Sequence, residues 1–193
     1  MKRNTMTPSL SIHTRTALID RIAQGFEPRY LLFWGHQPEK DGSAGKGCFS
    51  QWFEAPFEIE GVRYATAEHF MMAGKARLFG DTEVLGQVLA ARTPAEAKKL
   101  GRAVRGFDDT AWKHAAFDLV VQGNLAKFSQ HAAMGEFLLR TGEQVLVEAS
   151  PYDAIWGIGM AASHADAREP ARWRGQNLLG FALMAVRDRL RAG

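Results

Sequence analysis

The chain has 193 residues, of which 46% are hydrophobic and 23% charged, and a formal net charge of +3. These are the proportions of an ordinary globular domain with a substantial core, and no apolar run approaches the ~18 residues that a membrane span requires. The single cysteine, Cys48, excludes an internal disulfide and fits a reducing compartment, and the scattered Lys and Arg suit small anionic ligands better than a wrapped nucleic-acid backbone.

In chain order, residues 1–28 read as an appended arm, partly helical or disordered, before a folded domain over 29–193. The arm is basic and rich in Ser and Thr but lacks the continuous apolar stretch of a secretory signal, and Asp20 interrupts its most hydrophobic part. The cytoplasm is therefore the expected compartment. "YLLFW" (30–34) predicts the first strand, and "HQPEKDGSAGKG" (36–47) predicts a loop. "FEIEGVRY" (57–64) alternates apolar and polar residues around Glu60-Gly61, which predicts a two-residue β-hairpin. Thr66 then caps a helix that runs to about Phe79 and stops at Gly80.

Further helices are expected over 82–91 and over 93–104, the latter with Pro94 behind an N-cap threonine and Glu96 completing a capping box. A long amphipathic helix follows over about 110–129, and another over 132–141 ends at Gly142. "QVLVEAS" (144–150) predicts a strand, and 175–190 a last core helix. Helices outnumber strands, so the expected fold class is α+β: a helix-rich single domain with a short β-hairpin or small sheet.

Three stretches carry candidate chemistry. In "YATAEHFMMAGKARLFGD" (64–81), helical spacing puts Glu68, Met71, Met72, Lys75 and Phe79 on one stripe, with Arg77 pointing elsewhere. The other faces are also apolar, so the charges require either partners or a ligand-filled cavity. In "SPYDAIWGIGM" (150–160), Trp156 precedes Gly157 and Gly159. That pattern suits a flat ligand stacked on indole beneath free backbone N–H groups, or equally a core tryptophan beside a tight turn. Asp153 is a second carboxylate or a turn cap. In "RWRGQNLLG" (172–180), Asn177 stands near a helix N-terminus that favours an anion, or is simply its cap. Phe33, Trp34 and Gly35 close the first strand as core or as pocket wall. No His/Cys ligand spacing, GxSxG or GxxxxGK[ST] occurs, so neither a metal nor a cofactor is expected.

The blocks "FSQWFEAPFEIEGVRYATAEHFMMAGKARLFGD", "WKHAAFDLVVQGNLAKF", "SPYDAIWGIGM" and "WRGQNLLGFALMAVRDRL" together resemble the NADAR family, also called YbiA-like, in one consistent order from Leu31 to Leu190. The resemblance implies an N-glycosidase that hydrolyses the bond between ribose C1 and a base-like nitrogen. One branch of the family acts on phosphoribosylamino-pyrimidine intermediates of riboflavin biosynthesis, and another removes ADP-ribose from guanine in modified nucleic acid. It also implies that Glu68 is the catalytic glutamate and that Trp112 and Trp156 are pocket aromatics.

That chemistry answers why a carboxylate sits in an apolar helix. Cleavage develops positive charge on the ribose, which a preplaced carboxylate stabilises while it orients or deprotonates water. Asp153 is the candidate second group, and Lys75 would hold a phosphate or keep Glu68 ionised. The chain departs from relatives in having His69 where glutamine is common, "WGIG" where shorter members carry an acidic third residue, and Gln176 in place of a lysine. These departures favour the ADP-ribose branch, so the expected partner is a ribosyl or ADP-ribosyl compound, including ADP-ribosylated guanine in nucleic acid, with no membrane and an unassigned oligomeric state. The competing expectation from another class is a module that binds ADP-ribose or a nucleotide without turnover.

Overall fold

A computed structural model describes residues 12–193, so the first eleven residues of the expected arm lie outside it. The first helix, α1 (Arg15–Ala23), begins at the N-cap Thr14, whose side chain accepts from the Ala17 N–H. It is attached to the body of the protein: Leu18 is fully buried, and Arg15 donates to the carbonyls of Pro170 and Ala171 at 2.7 and 2.9 Å.

β1 (Tyr30–Phe33) pairs in parallel with β4 (Val145–Glu148), in a register that sets Tyr30 opposite Val145 and Phe33 opposite Glu148. Nearly all of the chain between them forms the crossover. β2 (Phe57–Ile59) and β3 (Val62–Tyr64) make the expected hairpin, with Glu60 at φ 52° and Gly61 at φ 75°. Positive φ at both central positions matches the twist of the flanking strands, and glycine takes it without steric cost.

α2 (Ala67–Leu78) begins at the N-cap Thr66 and ends before Gly80, as expected. All but three of its residues are buried, because α3 (Thr82–Ala90), α4 (Pro94–Arg102) and α5 (Asp109–Gln130) pack around it. In α4 the Thr93 side chain accepts from the Glu96 N–H, while Glu96 reaches back to the Arg92 N–H rather than to that of Thr93. α6 (Ala132–Arg140) returns the chain to β4, and α7 (Leu178–Ala192) closes the domain against β4 and α5.

α7 starts later than the sequence predicts. Asn177 adopts φ 58°, and the backbone before it is tied to another loop, with the N–H groups of Gln176 and Asn177 donating to Ala154 and Gly157. Single-turn 3₁₀ segments at 46–49, 165–168 and 170–172 complete the described residues, which carry seven α-helices and two two-stranded sheets in a helix-rich α+β fold. No helix among them is long and apolar enough to cross a membrane.

Candidate active site

The face of α2 that carries Glu68, Met71, Met72 and Lys75 forms one wall of a cleft of about 330 Å³. Opposite stand Glu148 at the end of β4 and Asp153, Ile155 and Trp156 of the loop that follows. Lys98, Gly101 and Arg102 enter from α4, Trp112 from α5, and Ser50, Gln51 and Trp52 from the segment before the hairpin.

That last segment has no regular structure of its own and is held by α5. Buried Lys127 donates to the carbonyls of Cys48 and Ser50 at 2.7 and 2.9 Å, and buried Asn124 donates to the Gln51 side chain at 2.7 Å. The Gln51 carbonyl in turn accepts the N–H of Glu68 at 3.0 Å, one of the donors that the first turn of a helix leaves free. Burial pushes Lys127 down to about 8, offset in part by the nearby Cys48. Burial likewise lifts the Cys48 thiol to about 11, so it is not a poised nucleophile.

Glu68 is 5% exposed. Burial pushes its carboxyl up to about 7, and Asp153 adds to the rise, while Lys98, the Trp52 side chain and Arg102 pull it back. Glu148 is raised further, to about 8, by burial first and then by the negative charges of Asp153 and Glu68, against Lys98. Two carboxyls therefore share a low-dielectric cleft with a third close enough to bias both. Such arrangements drive pKa values into the range useful near neutral pH.

The structure brings together five of the residues singled out from sequence: Glu68, Lys75, Trp112, Asp153 and Trp156. Lys75 lies 4.1 Å from the Phe107 ring centre and 5.5 Å from that of Trp112, and burial lowers its pKa. Asp153 is also a turn cap, since its Oδ1 accepts from the N–H groups of Ile155 and Trp156 at 2.9 and 2.7 Å and so fixes the backbone that carries Trp156.

The others stand outside the cleft lining. Phe33 is core, edge-on to Phe49 at 5.3 Å. Trp34 is 60% exposed and neighbours Tyr152, and Gly35 follows it at φ 87°. Gly157 packs backbone to backbone: a Cβ there would stand 2.9 Å from the carbonyl oxygens of both Glu148 and Asp153. Gly159, at φ 68°, lies against Arg174. Asn177 is fully buried, its Oδ1 accepting from the Glu148 N–H and its Nδ2 donating to the Leu146 carbonyl, both at 2.9 Å.

His69 faces away from the cleft. Its Nδ1 meets the Thr66 hydroxyl at 2.8 Å and its Nε2 meets the Ala91 carbonyl at 3.1 Å, which fixes the proton on Nε2. Arg77 donates to the Tyr64 hydroxyl at 2.8 Å.

Sequence reading missed Glu148, Lys98, Arg102 and Trp52 as parts of the site. The available signals were a carboxylate closing the apolar run "VLV", and two cations four residues apart on the helix that follows α3. Among the described residues no cluster of His, Cys, Asp and Glu has the makings of a metal site.

Fold and cleft define a class: a helix-rich α+β domain with a cleft lined by one buried and two partly buried carboxyls, three tryptophans and three cations. The chain belongs to the NADAR family, whose NADAR domain model matches residues 32–191. It is 41% identical to N-glycosidase R617 of Acanthamoeba polyphaga mimivirus over 165 residues, covering 83% of this chain and 95% of that protein. It is 35% identical to N-glycosidase Npun_R5314 of Nostoc punctiforme, covering 75% of this chain and 86% of the relative. The NMR structure of the E. coli protein YbiA superimposes with a TM-score of 0.69 at 25% identity, covering 86% of this chain and 88% of that one.

Proposed function

We propose that this chain is an N-glycosidase, a hydrolase acting on N-glycosyl bonds, and that it removes ADP-ribose from guanine. The observation that carries the reading is Glu68, a carboxyl buried in a cleft walled by Trp52, Trp112 and Trp156 and raised to about 7. The relatives named N-glycosidase supply the reaction class.

As a carboxylate, Glu68 stabilises the positive charge that grows on the ribose as the C1–N bond opens, and it takes a proton from the attacking water. The low dielectric of the cleft strengthens that effect. Trp112 and Trp156 stack on the base or the ribose face. Asp153, with Oδ1 engaged in the turn, offers its other oxygen to ribose hydroxyls or to the water. Lys75, Lys98 and Arg102 are three cations within one cleft. That number suits a diphosphate, which favours an ADP-ribosyl substrate over a monophosphate.

The test is product analysis by liquid chromatography and mass spectrometry, with ADP-ribosylated guanine DNA and, separately, a phosphoribosylamino-pyrimidine. The wild type should release ADP-ribose from the first, and Glu68→Gln should fold and lose about 10²–10⁴-fold in rate. Free pyrimidine from the second substrate alone moves the enzyme to riboflavin metabolism. Saturable binding without product from either makes it a binding module.

A further inference from the structure

Opening a C1–N bond returns an electron pair to a nitrogen that is a poor leaving group until it gains a proton. In the roles above nothing delivers that proton: Glu68 acts as a carboxylate, one Asp153 oxygen is held in the turn, Lys75 and Lys98 are engaged with the diphosphate, and Arg102 keeps its protons at any pH of interest.

Glu148 is unassigned and stands in the same cleft. Its backbone is fixed from both sides, the N–H donating to Asn177 Oδ1 at 2.9 Å and the carbonyl accepting from the Ile158 N–H at 2.9 Å. Its Oε2 is cut off from solvent and has no hydrogen-bond partner. An ionised carboxylate with that oxygen buried is costly, which favours the protonated group, and the other carboxyl oxygen, which is not cut off, is the one that can present the proton to the cleft. The charged groups that share the cleft with it are Glu68 and Lys75 from α2, Asp153 from the following loop, and Lys98 and Arg102 from α4. The two carboxyls and burial outweigh Lys98 in holding the proton on.

We propose that Glu148 is the catalytic acid, giving its carboxyl proton to the departing nitrogen while Glu68 takes one from water. This rests on the N-glycosidase reading. In the step, the C1–N electron pair goes to nitrogen, which gains the Glu148 proton. The water oxygen bonds to C1, and its released proton goes to Glu68. The products are a ribose carrying a C1 hydroxyl and a base carrying N–H, with Glu148 left ionised and Glu68 protonated. Exchange with solvent resets both, so no co-reactant is consumed.

The experiment combines kinetics of Glu148→Gln and Glu148→Asp, on whichever of the two substrates above the wild type hydrolyses, with carbon-13 NMR titration of the wild-type glutamate carboxyls. The Gln variant keeps the shape of the side chain and removes only the acid. It should lose about 10²–10⁴-fold in kcat with a smaller change in KM, and the fall of kcat/KM above pH 8 should vanish with it. The Asp variant should recover part of the rate and restore that fall. In the wild type, the Glu148 carboxyl should titrate near 8. Turnover by wild type with an undiminished Gln variant, an alkaline fall that survives in it, or a carboxyl titrating near 4 overturns the assignment alone. No hydrolysis of either substrate by the wild type overturns the N-glycosidase reading and the assignment with it. The NMR readout does not depend on the variants folding.

Discussion

Replacing Glu148 by glutamine should stabilise the protein at alkaline pH while it slows catalysis. The folded carboxyl is raised from the ordinary 4.5 to about 8, so between those values the folded state binds more protons than the unfolded one. Stability from this group is therefore fully present below pH 4.5 and is lost as pH rises towards 8. One pH unit corresponds to ~1.4 kcal/mol, so the penalty grows from ~1 kcal/mol at pH 5 to at most ~4 kcal/mol at pH 8. Relaxation of the cleft and entry of water reduce this penalty in practice. A net gain of about 2 kcal/mol at pH 8 relative to pH 5 is expected, or roughly 4–8 °C in Tm for a domain of this size. Glutamine does not titrate, so the comparison across pH isolates ionisation from any packing difference. The assay is thermal melting of both proteins at pH 5 and pH 8. A Tm difference that is the same at both pH values, or a Gln variant relatively less stable at pH 8, refutes the reasoning.

Two further outcomes follow from the same geometry. Asn177→Ala leaves the Glu148 N–H and the Leu146 carbonyl without their side-chain partner and puts alanine at φ 58°, so it should cost about 2–4 kcal/mol in urea unfolding; a cost below about 0.5 kcal/mol would show that Asn177 does not anchor β4 to α7. His69→Gln should leave the pH profile of kcat/KM unmoved, because His69 lies behind the cleft between Thr66 and Ala91. A displaced limb would mean that it faces the chemistry after all.

The parts of the fold that were legible in the sequence are those encoded locally. Glu60-Gly61 specifies its own turn, and Thr66 and Gly80 mark the ends of α2 by chemistry that acts within a few residues. Glu68 was conspicuous for the same reason, as a carboxylate among Ala, Phe and Met on a helix apolar on every side. Local signals also misdirect. "FWG" marks the end of a strand, which stops at Phe33, but that Phe33 goes into the core while Trp34 stands out to solvent depends on the parallel pairing with β4, more than a hundred residues later. Asn177 read as an ordinary helix start, and its left-handed backbone follows from the loop at 154–157 that receives the preceding N–H groups.

The second acid shows the same division between local and long-range information. Asp153 stands three residues before a tryptophan, a spacing visible in the sequence, and that spacing is what makes it a cap for the Trp156 N–H, a role that ties up one oxygen. Glu148 sits at the end of a plain apolar run, and nothing in its neighbours distinguishes a solvent-facing strand end from a buried one. Its environment is assembled by pairing with β1, by Asn177 from the start of α7, and by charges on α2 and α4. A carboxyl becomes a proton donor near neutral pH through desolvation and like charge, and both arise here from elements far apart in the chain. The residue whose chemistry depends most on the fold is therefore the one that short-range pattern was least able to reveal.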